Sequence, residues 1–151
     1  MPKSTAGPEV ISVRIPSRLD LLCVLDHVAQ ALCGRMELDA EESSKITMSV
    51  IEAGTNAIQH GHERDITKFV DIDFCVFADR IEIIVRDLGT GFDVESVNGD
   101  ITSPEHLFDL RGRGIYIMRQ CMDSVEFKFS PSGTVCRMVK QLSRAAKAAE
   151  A

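Results

Sequence analysis

The hydrophobic period of this chain changes from helical to alternating between residues 61 and 70, and that change limits the folds open to it. Up to Gly61, apolar residues recur at helical spacing: Leu19, Leu22, Cys23, Leu25 and Val28, then Ile46, Val50, Ala53, Ala57 and Ile58. From Val70 the period is two, with Val70, Ile72, Phe74 and Val76 alternating with Asp71, Asp73 and Cys75. Such alternation gives a strand one apolar face and one wet face. Ile81, Ile83 and Val85 resume it after Ala78-Asp79, which predicts a β-hairpin.

The remaining elements follow from punctuation. Val10–Ile15 reads as a strand ended by Pro16, after which Ser17 is expected to cap a helix reaching about Arg35, with Gly34 near its end. Asp39-Ala-Glu-Glu42 has the capping-box pattern and opens a second helix that stops near Gly61. Residues 87–110 show no steady period and contain Gly89, Gly91, Gly99 and Pro104, which predicts a long loop. A short helix is expected from about Gly114 to Met122. Strands follow through Val125, Phe127 and Phe129 and from Thr134 to Lys140, turning at Pro131-Ser-Gly133. The order is β-α-α-β-β-loop-α-β-β. It lacks the crossover helices of a doubly wound parallel fold and predicts an α+β architecture: a mixed, mostly antiparallel sheet with helices on one face. Residues 1–142 read as a single domain and 143–151 as a C-terminal tail.

Composition narrows the function classes. The 151 residues suffice for one domain with a core. A formal charge of -6 argues against non-specific nucleic-acid binding, which needs basic surface to displace counterions. No apolar stretch approaches the roughly 20 residues that span a bilayer. Met1–Ala6 lacks a signal-peptide core, so a cytoplasmic protein without membrane or nucleic-acid partners is expected. The five cysteines show no C-x-x-C spacing and are expected to be buried free thiols. His27, His60, His62 and His106 have no cysteines at zinc-ligand spacing, so no structural metal site is expected.

Three segments carry chemistry. On a helix, Glu52, Asn56 and His60 recur at i, i+4 and i+8 and share a slowly drifting face. A carboxylate and an amide carbonyl at that spacing can bracket a hydrated Mg²⁺ and a phosphate; a solvated polar stripe would look the same. Asp87 closes a strand before Gly89-Thr-Gly91, where a carboxylate can accept from an exocyclic amine and the glycines allow close backbone approach; an ordinary Asp-x-Gly turn is the alternative. A dinucleotide fingerprint fails, because Val94 stands where its third glycine belongs. Arg111-Gly-Arg-Gly114 precedes an apolar run suited to a helix, so its amides and arginines can hold phosphate oxygens. It also has the composition of a flexible loop.

In order, Glu52-x-x-x-Asn56, Asp87-x-Gly-x-Gly91, Gly112-x-Gly114 and Gly133-Thr134 resemble the ATP-binding boxes of the GHKL superfamily. The wording Glu-Ala-x-x-Asn-Ala-x-x-His-Gly and Arg-Gly-Arg-Gly-Ile-Tyr-Ile-Met-Arg-x-x-Met-Asp is most similar to its anti-sigma-factor serine/threonine kinase branch, and the likeness covers about residues 10–141. The resemblance implies a Bergerat-type α/β sandwich in which residues 87–110 form a flexible ATP lid. It implies ATP and Mg²⁺ as cofactors, with Asn56 on the metal and Asp87 on the adenine amine. Gly89, Gly91 and Thr134 would line the adenine end, and Gly112, Arg113 and Gly114 the phosphates, with Arg111 beside them in a less distinctive role. Glu52 matches the family's proposed general base. The implied partners are a STAS-type anti-anti-sigma protein and a sigma factor, with homodimerisation common in the family. A nucleotide-gated binding module without kinase activity is the alternative, and retention of Glu52 favours the kinase.

Overall fold

The computed structural model describes residues 7–62, 65–88 and 110–143, with backbone only at 60, 61 and 110–112. Strand β1 spans Glu9–Pro16, β2 Phe69–Val76, β3 Arg80–Asp87, β4 Ser124–Ser130 and β5 Gly133–Gln141; helix α1 spans Leu22–Arg35, α2 Ala40–Asn56 and α3 Leu110–Cys121. Among the described residues the strands form one sheet in the order β1-β2-β3-β5-β4. Every pairing is antiparallel, so the expected mixed character gives way to a uniformly antiparallel sheet. Two of the pairings follow from short hairpins, β2 to β3 and β4 to β5, which can only reverse direction; β1 beside β2 and β3 beside β5 are antiparallel through longer connections.

Alternation decides what each face of the sheet meets. Ile15, Val70, Ile72, Phe74, Ile81, Ile83, Val85 and Met138 are buried on one face, beneath the helices, and form the core with Leu25, Ile46, Val50, Ile58, Ile115 and Met118. Helix α2 lies between α1 and α3. The opposite face carries the polar positions, paired across strands: Arg14 with Asp71 at 2.6 Å, Arg86 with Asp73 at 2.6 Å, and Arg137 with Glu82. The exposed Arg14–Asp71 pair contributes about 0–1 kcal/mol, whereas Glu82 is itself buried beside Arg137. Burial of the other face therefore holds the layers together.

Local details depart from the sequence expectations in four places. Ser17 caps no helix. The first turn is a 3₁₀ turn, Leu19–Leu21, with no side-chain cap, and Ser17 is fully buried with its hydroxyl on His62. Helix α1 ends at Arg35 with Gly34 near its end, as expected, but no glycine makes the chain reversal. The reversal is at Glu37, with φ of 56°, where Leu38 N–H donates to Cys33 O and Glu37 N–H to Gly34 O. That is a Schellman motif with glutamate in the left-handed position. Asp39 does cap α2 by accepting from Glu42 N–H at 2.8 Å, but the capping box is only half formed. The Glu42 carboxylate instead accepts from the backbone and hydroxyl of Ser143. Finally, only Cys33 and Cys136 are buried; Cys75 and Cys121 are half-buried and Cys23 is exposed, because its place on α1 falls outside the inward stripe of Leu25, Ala29 and Leu32.

Candidate functional site

Two clusters of the sequence-selected residues form at one end of the sandwich. The first lies between α2 and α3. Asn56 is the last residue of α2, and Glu52 stands one turn before it. Helix α3 begins at Leu110, four residues earlier than its apolar run indicates. Arg111, Gly112 and Arg113 are thus in the first turn of the helix, with Gly114 just after it, and not in a loop ahead of it. The unpaired N–H groups of a first helical turn are where an anion is best held.

Gly114 records how closely α3 approaches α2. A methyl group built there would lie 2.8 Å from Glu52 Oε2, 3.6 Å from Asn56 Oδ1 and 3.7 Å from Asn56 Nδ2. Glycine at 114 therefore leaves open the space that the Glu52 and Asn56 side chains both face. Burial raises the Glu52 carboxyl above the usual carboxylate range, and the nearby Arg113 charge opposes this. A carboxylate raised in this way is a stronger proton acceptor than a solvated one. Asn56 is buried, and its Nδ2 has no hydrogen-bond partner among the described residues. An orphan donor of that kind costs about 1–3 kcal/mol. It marks a position where a ligand oxygen is accommodated.

The second cluster lies where β3 ends. Asp87 and Thr134 are direct partners in the β3–β5 register, on the face toward the helices. Thr134 is buried, and its hydroxyl is the second orphan polar atom. Gly133 makes the approach possible. Its φ is 142°, and a Cβ there would fall 1.9 Å from the Asp87 carbonyl oxygen. A cleft of about 360 Å³ lies at the same strand ends but reaches onto the opposite, polar face of the sheet, where Arg14, Asp71, Arg86 and Val135 line it along with Asp87 and Gly133. Beneath Asp87, burial and the aspartate's charge push the Cys136 thiol up to about 12, so it stays protonated and inert.

What joins the clusters is a residue that sequence reasoning passed over. After Asn56 the helix widens into a π turn, Ala57–Gly61, closed by His62 N–H donating to Ala57 O at 2.8 Å. This turn packs on β3. Its smaller advance per residue alters the regular helical drift from Asn56 to His60, whose side chain lies outside the described residues. The His62 ring is buried between Ser17 Oγ, 3.0 Å from Nδ1, and Leu88 N–H, which donates to Nε2 at 2.7 Å. Periodicity carried no signal for it; a second histidine two residues after His60, at a helix end, was the only cue. Gly89, Gly91 and the 87–110 lid expectation, apart from Asp87, Leu88 and Leu110, lie outside the described residues. Only the backbone of Arg111 and Gly112 is described.

The donor set fits a nucleotide carrying a divalent cation. Asn56 offers a carbonyl oxygen to a cation and an orphan amide to a phosphate oxygen. The first turn of α3 and Arg113 supply positive charge beside it, while Asp87 and the orphan Thr134 hydroxyl offer polar contacts for a base.

Comparison with known proteins agrees. The sequence profile of the histidine kinase-like ATPase domain matches residues 15–140. The chain is 32% identical over 141 residues to a serine-protein kinase, RsbW, of Bacillus licheniformis, covering 90% of this chain and 88% of that one. It is 31% identical over 140 residues to RsbW of Bacillus subtilis, covering 89% and 87%. The fold is similar to the RsbU and RsbW domains of a Mycobacterium tuberculosis protein, with a TM-score of 0.61 at 12% identity over 89% of this chain and 32% of that one. A blue-light activated histidine kinase from Erythrobacter litoralis has a TM-score of 0.56 at 20% identity, over 88% and 44%.

Proposed function

Because this chain belongs to the histidine kinase-like ATPase domain family, we propose that it is an ATP- and Mg²⁺-dependent protein serine/threonine kinase of the anti-sigma-factor type. Its substrate on this reading is a serine or threonine hydroxyl of a STAS-type antagonist, and a sigma factor is the partner it sequesters. The work is done in the cytoplasm by a single domain over residues 1–142, with 143–151 as a tail, and the acting unit is a homodimer. The observation that carries the kinase reading is Glu52, a half-buried carboxyl raised by desolvation in a space shared with Asn56, Gly114 and the Arg113 charge. Curated relatives matched over nearly their whole length are named serine-protein kinases, which supports the same reading.

Bound Mg²⁺–ATP would supply the transferable phosphoryl group and the cation that neutralises its charge. The chain's own residues then have separate tasks. Asn56 holds the cation through its carbonyl oxygen. Asp87 accepts from the adenine amine, with Thr134, Gly89 and Gly91 lining that end. The first turn of α3, with Arg111, Gly112 and Arg113, would hold phosphate oxygens through its free backbone N–H groups and the Arg113 charge, with Gly114 leaving room beside them. Glu52 would take the proton of the acceptor hydroxyl as that oxygen bonds to the γ-phosphorus and the bond from phosphorus to the departing ADP breaks. Phosphoryl transfer needs mainly positioning and charge neutralisation, so one carboxylate is chemistry enough.

The test separates binding from transfer. Glu52→Gln is expected to retain Mg²⁺–ATP affinity while transfer to a STAS-type protein falls by about 10²–10⁴-fold. Asn56→Ala is expected to weaken Mg²⁺–ATP binding itself. Unchanged transfer by Glu52→Gln, measured as phosphoserine or phosphothreonine on the acceptor, would remove the base assignment. Binding of Mg²⁺–ATP with no phosphorylated product from the unaltered protein would leave a nucleotide-gated module.

A further inference from the structure

We propose that His62 is a positioning residue that works as a proton-sensitive latch: its neutral ring ties the end of β3, and with it Asp87, to the end of β1, and protonation opens the tie. The inference deepens the nucleotide reading and rests on it for its consequence, since Asp87 is the residue expected to read the base.

The hydrogen bonds define the ring's state. Leu88 N–H donates to Nε2 at 2.7 Å, so Nε2 carries no proton in this arrangement. The proton of the neutral ring is then on Nδ1, which donates to Ser17 Oγ at 3.0 Å. Ser17 is itself fixed. It is fully buried, and its backbone N–H donates to Lys68 O at 2.9 Å. The ring thereby gathers the end of β1, the approach to β2, the π turn and the end of β3. The ladder of β3 stops at the Asp87–Thr134 pair. Leu88 N–H is the next donor along the chain, and the imidazole is its acceptor.

A second proton on the ring converts Nε2 from acceptor to donor and sets it against Leu88 N–H. The described charged groups around the ring come from two elements. Asp87 of β3 and Asp65 of the segment before β2 favour the proton, while Lys68 of that same segment opposes it; the β1 end contributes only the neutral Ser17. Burial outweighs them and holds the ring below the ordinary histidine value of 6.5. The latch is accordingly closed at neutral pH and opens on acidification below it. Nucleotide affinity is expected to fall with it, because Asp87 loses its fixed position.

The variant that distinguishes this role is His62→Gln, whose amide can accept from Leu88 and donate to Ser17 without titrating. Mg²⁺–ATP dissociation constants are measured between pH 8 and pH 5.5 for the unaltered protein, His62→Gln and His62→Ala. Taking the ratio to His62→Gln at each pH cancels the nucleotide's own titration. That ratio is expected to rise by about fivefold or more on acidification, and His62→Ala to bind about fivefold more weakly throughout, the loss of one hydrogen bond. In nucleotide-free protein, exchange of the Leu88 amide, corrected for its intrinsic rate, is expected to quicken at pH 5.5 in the unaltered protein but not in His62→Gln. A flat ratio together with unchanged Leu88 protection would overturn the latch, even if His62→Ala fails to fold. Absence of Mg²⁺–ATP binding by the unaltered protein would instead sink the nucleotide reading, and Leu88 exchange would still decide whether the ring is a latch.

Discussion

A single methyl group at position 114 is expected to affect phosphotransfer more than stability. Alanine is the better helix former by about 1 kcal/mol in a helix interior. The atom it would strike is Glu52 Oε2, the free end of a flexible side chain, at 2.8 Å. The fold can therefore accept Gly114→Ala, but the carboxylate has to move. Thermal unfolding of Gly114→Ala is expected within a few degrees of the unaltered protein, while phosphotransfer falls on the order of 10²-fold, as for a displaced reacting group. A large loss of stability in that variant would show the contact to be structural packing. The residue types were legible in the sequence at this scale, since Glu52, Asn56 and Gly114 were all selected from their spacing. That Glu52 meets Gly114 was not, because the contact joins helices separated by an entire hairpin.

At the scale of elements, two backbone positions bear on the preference for glycine in opposite ways. Glu37 occupies the left-handed turn after α1 with φ of 56°, where a side chain costs about 1–2 kcal/mol. Part of that is offset by the greater freedom glycine has when unfolded. Glu37→Gly is thus expected to stabilise the protein by about 0.5–1 kcal/mol, read from urea denaturation. Gly133 is the opposite case. Its φ is 142°, and the obstruction to a Cβ is the Asp87 carbonyl at 1.9 Å, which belongs to a paired strand and cannot yield cheaply. Gly133→Ala is expected to destabilise by about 3 kcal/mol or more and to disturb nucleotide binding, because relief requires the β3 end to shift. Strand and helix positions were readable to within a few residues. The early start of α3 was not: two glycines in Arg111-Gly-Arg-Gly argued for loop, and packing of Ile115 and Met118 on α2 carried the helix back through them. The π turn was equally hidden, since a single widened turn leaves the apolar pattern on either side intact.

For the whole molecule, pH is the simplest global probe, and two windows are expected. His62 is held below 6.5 by burial, so the unfolded chain binds its proton more readily. Stability linked to it is full above 6.5 and is lost as pH falls from there toward the lowered folded value. Asp73, lowered by its hydrogen bonds to Ser12 and Arg86, contributes stability present above 3.8 and lost at still lower pH. Urea melts at pH 8 and pH 5.5 should show a drop in midpoint that His62→Gln abolishes; an equal drop in both would assign it elsewhere. The sequence by itself determined the antiparallel hairpins, the two-layer α+β arrangement, and which residue types were available for a nucleotide and a phosphoryl acceptor. Those properties are local, being fixed by period, capping and turn chemistry over a few residues. Tertiary structure alone decided that Glu52 and Gly114 share one space, that Thr134 lies opposite Asp87, and that His62 bridges Ser17 to Leu88 across 45 and 26 residues. Such contacts arise when buried faces pack together, and no local pattern encodes which partners the packing will bring within reach.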